Sequence, residues 1–155
     1  MPKENPAIAV EKEMSFDDFK AEVLSDFRIA SVSREASILG RKEVLTGKAK
    51  FGIFGDGKEL AQLAMAKQFK NGDWRSGYYR DQTFMMAIDQ LSVKQYFAAL
   101  YAHTDLEHEP SSAGRQMGGH FATRSIDEDG KWKDHMAQKN SSSDISPTAG
   151  QMPRL

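Results

Sequence analysis

The chain has 155 residues, 28% of them charged and 39% apolar, and its formal net charge is −1 at neutral pH. This composition is typical of one soluble globular domain, and it lacks the basic surplus of a nucleic-acid-binding protein. The absence of cysteine excludes disulfides, thiolate metal sites and a cysteine nucleophile. No apolar run approaches the ~20 residues of a membrane span. We therefore expect a cytoplasmic protein whose partners are neither nucleic acid nor a membrane.

The first predicted element is a long helix that follows a flexible N-terminal arm, residues 1–14. Ser15 precedes two early acids, which predicts a helix start, because its hydroxyl can accept a free backbone N–H and the acids suit the positive end of the helix dipole. One long bent helix, or two helices, should run to about Leu45 and stop at Gly47. The helical spacing of apolar residues predicts one buried stripe, formed by Phe16, Phe19, Val23, Leu24, Phe27 and Ile38.

The next segment is a glycine-rich turn, Gly55-Asp56-Gly57, before a predicted helix over residues 58–69. Glycines allow a close backbone approach and an aspartate can hold a hard cation, so a metal or phosphate site is one interpretation. So short a motif has low specificity, and we favour a turn in which Asp56 caps the helix. The residues of this helix predicted to face inward are Leu60, Leu63, Ala64 and Met65.

A turn at residues 71–73 leads to an extended piece over 74–79. Helices are predicted from Thr83 to Ile88 and, with Ser92 as its N-cap, from Val93 to Tyr101. Residues 103–147 are rich in Ser, Gly, Asp and His and have weak periodicity. Such a long irregular stretch indicates a functional or disordered segment.

Tyr79, Arg80 and Asp81 lie between the extended piece and the helix that follows it. A guanidinium suits bidentate contact with a phosphate, and a phenol hydroxyl adds a donor. The junction of a strand and a helix is also a common ligand position. The alternative interpretation is a surface ion pair between Arg80 and Asp81.

Two polar loops contain further candidate residues. His120 closes a glycine-rich loop, residues 114–120, and histidine changes its charge near neutral pH, although a loop histidine is often simply exposed. Ser146 lies in the segment 143–151, whose hydroxyls and backbone N–H groups could hold an anion or form an ordinary Ser-Pro turn. The other three histidines are His103, His108 and His135. They lack the helical spacing that would bring them together around a metal ion, so no metal site is predicted.

Taken in series, these motifs resemble the alpha portion of the first component of the 2-oxoacid dehydrogenases, in particular the bacterial branched-chain (2-oxoisovalerate) type with fused alpha and beta portions. The resemblance covers about residues 28–155. Its most specific segments are Tyr79-Arg80-Asp81 and the Gly-Arg-Gln-Met run at 114–117. It implies an α/β thiamine-diphosphate-binding fold. It also implies an enzyme that decarboxylates a branched-chain 2-oxoacid, or pyruvate, and transfers the acyl group to a lipoyl domain.

The resemblance also implies roles for single residues. Tyr79 and Arg80 are expected to hold the diphosphate of thiamine diphosphate, Ser146 to contact the cofactor, and His120 to lie near the active site as a candidate catalytic residue. Some family members bind potassium in the Ser-Pro loop. Ile145 and Gly150 stand where that family has serine and threonine ligands, so a potassium site is in doubt.

The same resemblance predicts that residues 15–155 form only the N-terminal part of the cofactor domain. In the family the magnesium-binding segment comes after the Ser-Pro loop, and the glutamate that activates the cofactor belongs to the beta portion. A diphosphate without its magnesium lacks its main electrostatic anchor. We therefore expect the chain alone to bind thiamine diphosphate weakly or not at all, and not to catalyse.

Fold and partners follow from this interpretation. Runs of β-branched residues are few, so we expect a mostly helical part with long loops, some exposed apolar surface, and most of the parallel sheet downstream. The expected partners are the beta portion, a lipoyl-bearing acyltransferase and further copies of the chain. The alternative is a non-catalytic helical interaction module derived from this scaffold.

Overall fold

The computed structural model describes residues 14–115, 119 and 121–142. Within these residues the elements are α1 (Phe16–Leu45), α2 (Glu59–Gln68), β1 (Trp74–Ser76), α3 (Gln82–Ala87), α4 (Val93–Leu100), a 3-10 helix (His135–Ala137) and β2 (Asn140–Ser142). Four helices and a two-stranded parallel sheet make a small mixed domain that is compatible with the predicted α/β class. The predicted arm, apart from Met14, lies outside the described residues, as do His120 and Ser146.

Helix α1 begins and ends where the sequence predicts. The Ser15 hydroxyl accepts the Asp18 backbone N–H at 3.1 Å, so the N-cap is confirmed. At the other end Gly47 has a φ of +76° and donates its N–H to the Val44 carbonyl at 3.0 Å. Glycine adopts this left-handed conformation without a steric penalty, and the segment is one helix of 30 residues.

The predicted buried stripe of α1 is wrong. Phe16 is 76% exposed and Phe27 71% exposed, and the other four members are also exposed. The buried residues of α1 are small or polar, namely Ser33, Ala36, Ser37, Gly40 and Glu43. Periodicity identifies a face of a helix, but it does not tell which face meets the rest of the domain.

Helix α2 shows the same limit. Leu63 is buried as predicted, whereas Leu60, Ala64 and Met65 are exposed. Gln62 is buried instead. Its Nε2 donates to the Arg80 carbonyl at 2.9 Å and its Oε1 accepts the Phe84 N–H at 2.9 Å, so the amide is hydrogen-bonded inside the domain.

Helix α3 lies at the centre of the core. Phe84 and Met85 are fully buried, and the Phe69 and Phe84 rings make an edge-to-face contact with centroids 5.1 Å apart. The buried apolar cluster consists of Ala36, Ala66, Phe84, Met85, Ile88, Leu91, Tyr96 and Phe121. Because α3 directly follows Arg80 in the chain, its anchoring in the core fixes the end of the segment that contains Arg80.

The two strands pair in parallel, with Trp74 opposite Asn140 and Ser76 opposite Ser142. The sequence did not predict β2, since its Asn-Ser-Ser residues have low strand propensity. Asn140 is buried, and its amide nitrogen lies within hydrogen-bond distance of the carbonyl oxygens of Asp73, His135 and Gln138. Because the strands are parallel, their carboxyl ends lie at one edge of the sheet.

Among the described residues, the helices are either too short or too polar to cross a membrane.

Candidate functional site

A tight turn, Tyr78–Asp81, connects the carboxyl edge of the sheet to α3. Gly77 donates its N–H to the Ser142 carbonyl at 2.8 Å, which joins the start of the turn to β2. The Asp81 N–H then donates to the Tyr78 carbonyl at 3.1 Å, and the Asp81 carboxylate accepts the Tyr78 N–H at 2.9 Å. In open α/β sheets, ligands bind outside the carboxyl ends of the strands.

The side chains of Tyr78, Tyr79 and Arg80 form one cluster. The two phenol rings stack with centroids 4.1 Å apart, and the Tyr78 hydroxyl donates to the Tyr79 hydroxyl at 2.8 Å. The Arg80 Cζ lies 5.3 Å from the centroid of the Tyr78 ring and 5.8 Å from that of Tyr79. Its Nη2 donates to the Tyr78 hydroxyl at 3.4 Å. The cluster thus gathers a permanent positive charge and two hydroxyls.

One donor of this cluster has no acceptor among the residues that the structure describes. The Arg80 Nε is buried and makes no hydrogen bond within the described part of the chain. Buried donors without a partner are uncommon in native proteins, and an oxyanion is a strong acceptor for a guanidinium N–H. The residues present are therefore compatible with an anionic ligand.

Gly55 provides space behind the turn. A Cβ at this position would collide with the Arg80 carbonyl oxygen and would lie 2.6 Å from the Gln82 Oε1. Only glycine allows the two segments to approach so closely. The predicted turn at residues 55–57 is confirmed. Its Gly55 packs against the backbone of Arg80.

The predicted capping role of Asp56 is wrong. Its carboxylate pairs with Arg41 at 2.5 Å, and the Gly57 N–H reaches the Glu59 carboxylate at 3.0 and 3.1 Å. An acid inside the helix, rather than the one before it, satisfies this backbone donor.

Asp81 pairs with Arg75, in contrast to the predicted alternative of an Arg80–Asp81 ion pair. The Arg75 Nη1 lies 2.5 Å from the Asp81 Oδ2, with the two side chains 11% and 21% exposed. The sequence analysis did not single out Arg75. Arg75 lies six residues before Asp81, and this spacing alone does not indicate an ion pair.

Gly119, a residue of the glycine-rich segment 114–120, lies beside the turn. It has a φ of +98°, and a Cβ there would lie 2.7 Å from the Tyr79 carbonyl oxygen. The next described residue, Phe121, is buried in the core. The structure therefore places Gly119 alongside Tyr79, while His120 lies outside the described residues.

Glu109, which was not predicted as a functional residue, binds the backbone of residues 111–114 through its carboxylate. Its buried carboxylate accepts the backbone N–H groups of Ser111, Ser112 and Gly114, each at 2.9 Å. The Ser112 hydroxyl also donates to it, at 2.7 Å. Burial alone raises the pKa of Glu109, but these donors outweigh burial and leave the pKa below its ordinary value.

An exposed group of possible metal ligands lies in the preceding turn. The nearest ligand atoms of Asp105, Glu107 and His108 lie within 4.8 Å of one another, and the His108 ring stacks on His103 with centroids 4.8 Å apart. This grouping was not predicted, because its residues lie in a turn and not at the helical spacing that indicates a metal site. Exposed acidic turns are common without a metal, so the grouping alone assigns no ion.

No protein-family model matches the chain, and a search of curated proteins found no matching sequence. The functional interpretation of the turn therefore depends on its residues and their geometry.

Proposed function

We propose that the chain supplies the diphosphate-holding part of a thiamine-diphosphate site in a 2-oxoacid dehydrogenase. The parent enzyme decarboxylates a branched-chain 2-oxoacid, or pyruvate, and transfers the acyl group to the lipoyl domain of an acyltransferase. In this proposal Tyr79 and Arg80 hold the diphosphate, Ser146 contacts the cofactor, and His120 lies near the reacting groups.

The observation that supports this proposal best is that two of the motif segments follow strands that end at the same edge of the sheet. Tyr79 and Arg80 follow β1, the sequence toward Ser146 follows β2, and the last residues of these strands, Ser76 and Ser142, pair in parallel register. Tyr79 is three residues beyond its strand and Ser146 four residues beyond its own. At about 3.3–3.6 Å per residue, both can reach a ligand at the same sheet edge.

The charge of the turn supports an anionic ligand. Arg80 brings a guanidinium group to the turn, and its buried Nε has no acceptor within the described residues. A diphosphate offers several oxygens to the guanidinium and to the adjacent hydroxyl of Tyr79. Such charge-assisted hydrogen bonds are stronger than those between neutral groups.

The remaining parts of the site are proposed to come from outside these 155 residues. Magnesium ligands are expected downstream, and the beta portion is expected to provide the glutamate that activates the cofactor. When bound, thiamine diphosphate supplies the electron sink for decarboxylation. The chain's own residues would bind and orient the diphosphate end, so we expect no turnover of 2-oxoacids by the chain alone.

The proposal is tested by titrating thiamine diphosphate with magnesium into a longer chain that includes the downstream segment and the beta portion. The Arg80→Ala variant should bind about 10–100-fold more weakly, since hydrogen bonds to a charged group contribute about 1.5–3 kcal/mol. Arg28→Ala removes an exposed arginine of α1 and serves as the matched control. Equal affinity of Arg80→Ala and the unmodified protein would contradict the assignment.

One observation favours the alternative of a non-catalytic helical interaction module. Phe16, Phe19 and Phe27 are exposed on the first half of α1, and exposed apolar groups of this kind often mark binding surfaces. The alternative predicts that the longer chain binds no thiamine diphosphate even with magnesium present. The same titration therefore separates the two functions.

A further inference from the structure

Arg75 joins both strands and the turn that carries Arg80. Its Nε donates to the Ser141 hydroxyl of β2 at 3.0 Å, and its Nη1 pairs with the Asp81 carboxylate at 2.5 Å. Its Cζ lies 4.6 Å from the centroid of the buried Phe84 ring. The guanidinium is thus held by a strand, a carboxylate and an aromatic face.

The conformation of the turn depends on the Asp81 carboxylate. The same Oδ2 atom accepts the Tyr78 N–H at 2.9 Å and the Arg75 Nη1, so it links the first residue of the turn to β1. Both members of this ion pair are largely buried. If either partner is removed, a charge stays behind without compensation in a poorly solvated place.

The pair also determines the charge available beside the turn. Asp81 follows Arg80 directly in the chain, and an unpaired carboxylate there would attract the Arg80 guanidinium and repel an anion. Arg75 neutralises this carboxylate by pairing with it. The Arg80 guanidinium lies instead against the two phenol rings, with its Nε lacking an acceptor among the described residues.

We infer that Arg75 is a positioning residue for the diphosphate site: it fixes the Tyr78–Asp81 turn through Asp81 and leaves the charge of Arg80 for the ligand. This inference rests on the proposed function of Arg80. Arg75 need not contact the cofactor itself.

The test measures thiamine diphosphate affinity, with magnesium, in the longer chain that includes the beta portion. Arg75→Met should lower the affinity about tenfold, a typical coupling between groups of one network. Adding Asp81→Asn to Arg75→Met should recover part of that loss, because the uncompensated carboxylate beside Arg80 is then gone. Because Asp81→Asn also relieves an uncompensated buried charge, the affinities are compared at a temperature at which both variants are folded, where a purely structural role predicts equal binding by the two variants.

A matched control separates positioning from general destabilisation. Arg34 pairs with the buried Glu59 carboxylate of α2 at 2.6 Å, an ion pair outside the Tyr78–Asp81 turn. Arg34→Met should lower the thermal midpoint of unfolding while leaving the affinity unchanged. The inference is overturned if Arg75→Met binds as tightly as the unmodified protein, or if the double variant binds no more tightly than Arg75→Met.

Two further comparisons keep the outcomes distinct. If Arg75→Met does not fold, Arg75→Gln decides, because it keeps a polar side chain that can hydrogen-bond but leaves the Asp81 carboxylate without an opposite charge. About threefold weaker binding would support the inference and unchanged binding would overturn it. If Arg80→Ala binds normally, the proposed function fails. If Arg80→Ala weakens binding and Arg75→Met does not, only the role of Arg75 fails.

Discussion

The most strongly anchored carboxylate near the start of α2 is that of Glu59. It accepts two hydrogen bonds from Arg34, at 2.6 and 2.8 Å, and the Gly57 N–H at 3.0 Å. The Arg34 hydrogen bond is the main cause that lowers the pKa of Glu59 from its ordinary value of 4.5 to about 2. The pair ties the first residue of α2 to the middle of α1.

A pH dependence follows from this shift. Because the folded-state pKa of Glu59 is depressed, its contribution to stability is present above pH 4.5 and is lost as the pH falls toward 2. Glu59→Gln should reduce the free energy of unfolding by about 1–2 kcal/mol at pH 7, a value discounted because Arg34 is half exposed. Urea unfolding at several pH values measures this difference, which should shrink between pH 4.5 and 2. A difference that stays constant down to pH 2 would contradict the ion-pair account.

At the residue scale, the sequence predicted positions that depend on local order. The position of Tyr79 and Arg80 between an extended piece and a helix could be read directly from the chain. Arg75 could not, because one of its partners, Ser141, is 66 residues away and lies in an unpredicted strand. Glu109 was missed because a carboxylate bound by backbone N–H groups leaves no compositional pattern.

At the scale of elements, hydroxyl and amide groups hold α1 against α3. The Ser33 and Thr83 hydroxyls are 2.6 Å apart, and the Gln82 Nε2 donates to the Ser37 hydroxyl at 2.7 Å. All four residues are buried. Small polar side chains allow the two helices to approach closely, which explains why the phenylalanines of α1 do not form this interface.

Removing one hydroxyl tests this interface. Ser37→Ala leaves the buried Gln82 amide without its partner, so the free energy of unfolding should fall by about 1–3 kcal/mol. Ser25→Ala, at an exposed position of the same helix, provides the control and should change it by less than about 0.5 kcal/mol. Urea denaturation followed by circular dichroism compares the two. Equal stabilities of the two variants would show that the Gln82–Ser37 bond does not stabilise the interface.

Element ends were predicted better than element faces. Ser92 caps α4 in a full capping box with Gln95, and Ser15 caps α1, because caps depend on residues a few positions apart. The buried faces of α1 and α2 depend on distant partners, and their apolar spacing was misleading. Strand β2 has three polar residues and is defined by its pairing with β1 rather than by its own propensity.

At the scale of the whole molecule, apolar surface is left exposed along α1. Phe16, Phe19 and Phe27 share the first half of the helix, and Leu60 of α2 lies with Phe27 around one shallow groove. Exposed apolar surface was expected for a domain part whose sheet lies elsewhere. Its position on α1 was not predicted, because the same residues had been assigned to the core.

This surface should promote association of the chain when its proposed partners are absent. Replacing Phe19 and Phe27 by serine should lower the fraction of dimers and larger species, because burial of each phenylalanine favours contact by about 1.5–3 kcal/mol. Sedimentation velocity over a concentration series measures the fraction. Leu45→Ser changes an even more exposed apolar residue at the other end of α1 and should have little effect. Unchanged association of the double variant would exclude this surface as its cause.

The central claim is that the turn after β1 holds a diphosphate. A crystal structure of the longer chain with the beta portion, thiamine diphosphate and magnesium would test it most directly. The account predicts diphosphate oxygens about 2.7–3.2 Å from the Arg80 guanidinium and the Tyr79 hydroxyl. It also predicts that Asp81 remains paired with Arg75. A cofactor bound with its diphosphate away from Arg80, or a turn in which Asp81 has moved to pair with Arg80, would contradict the account.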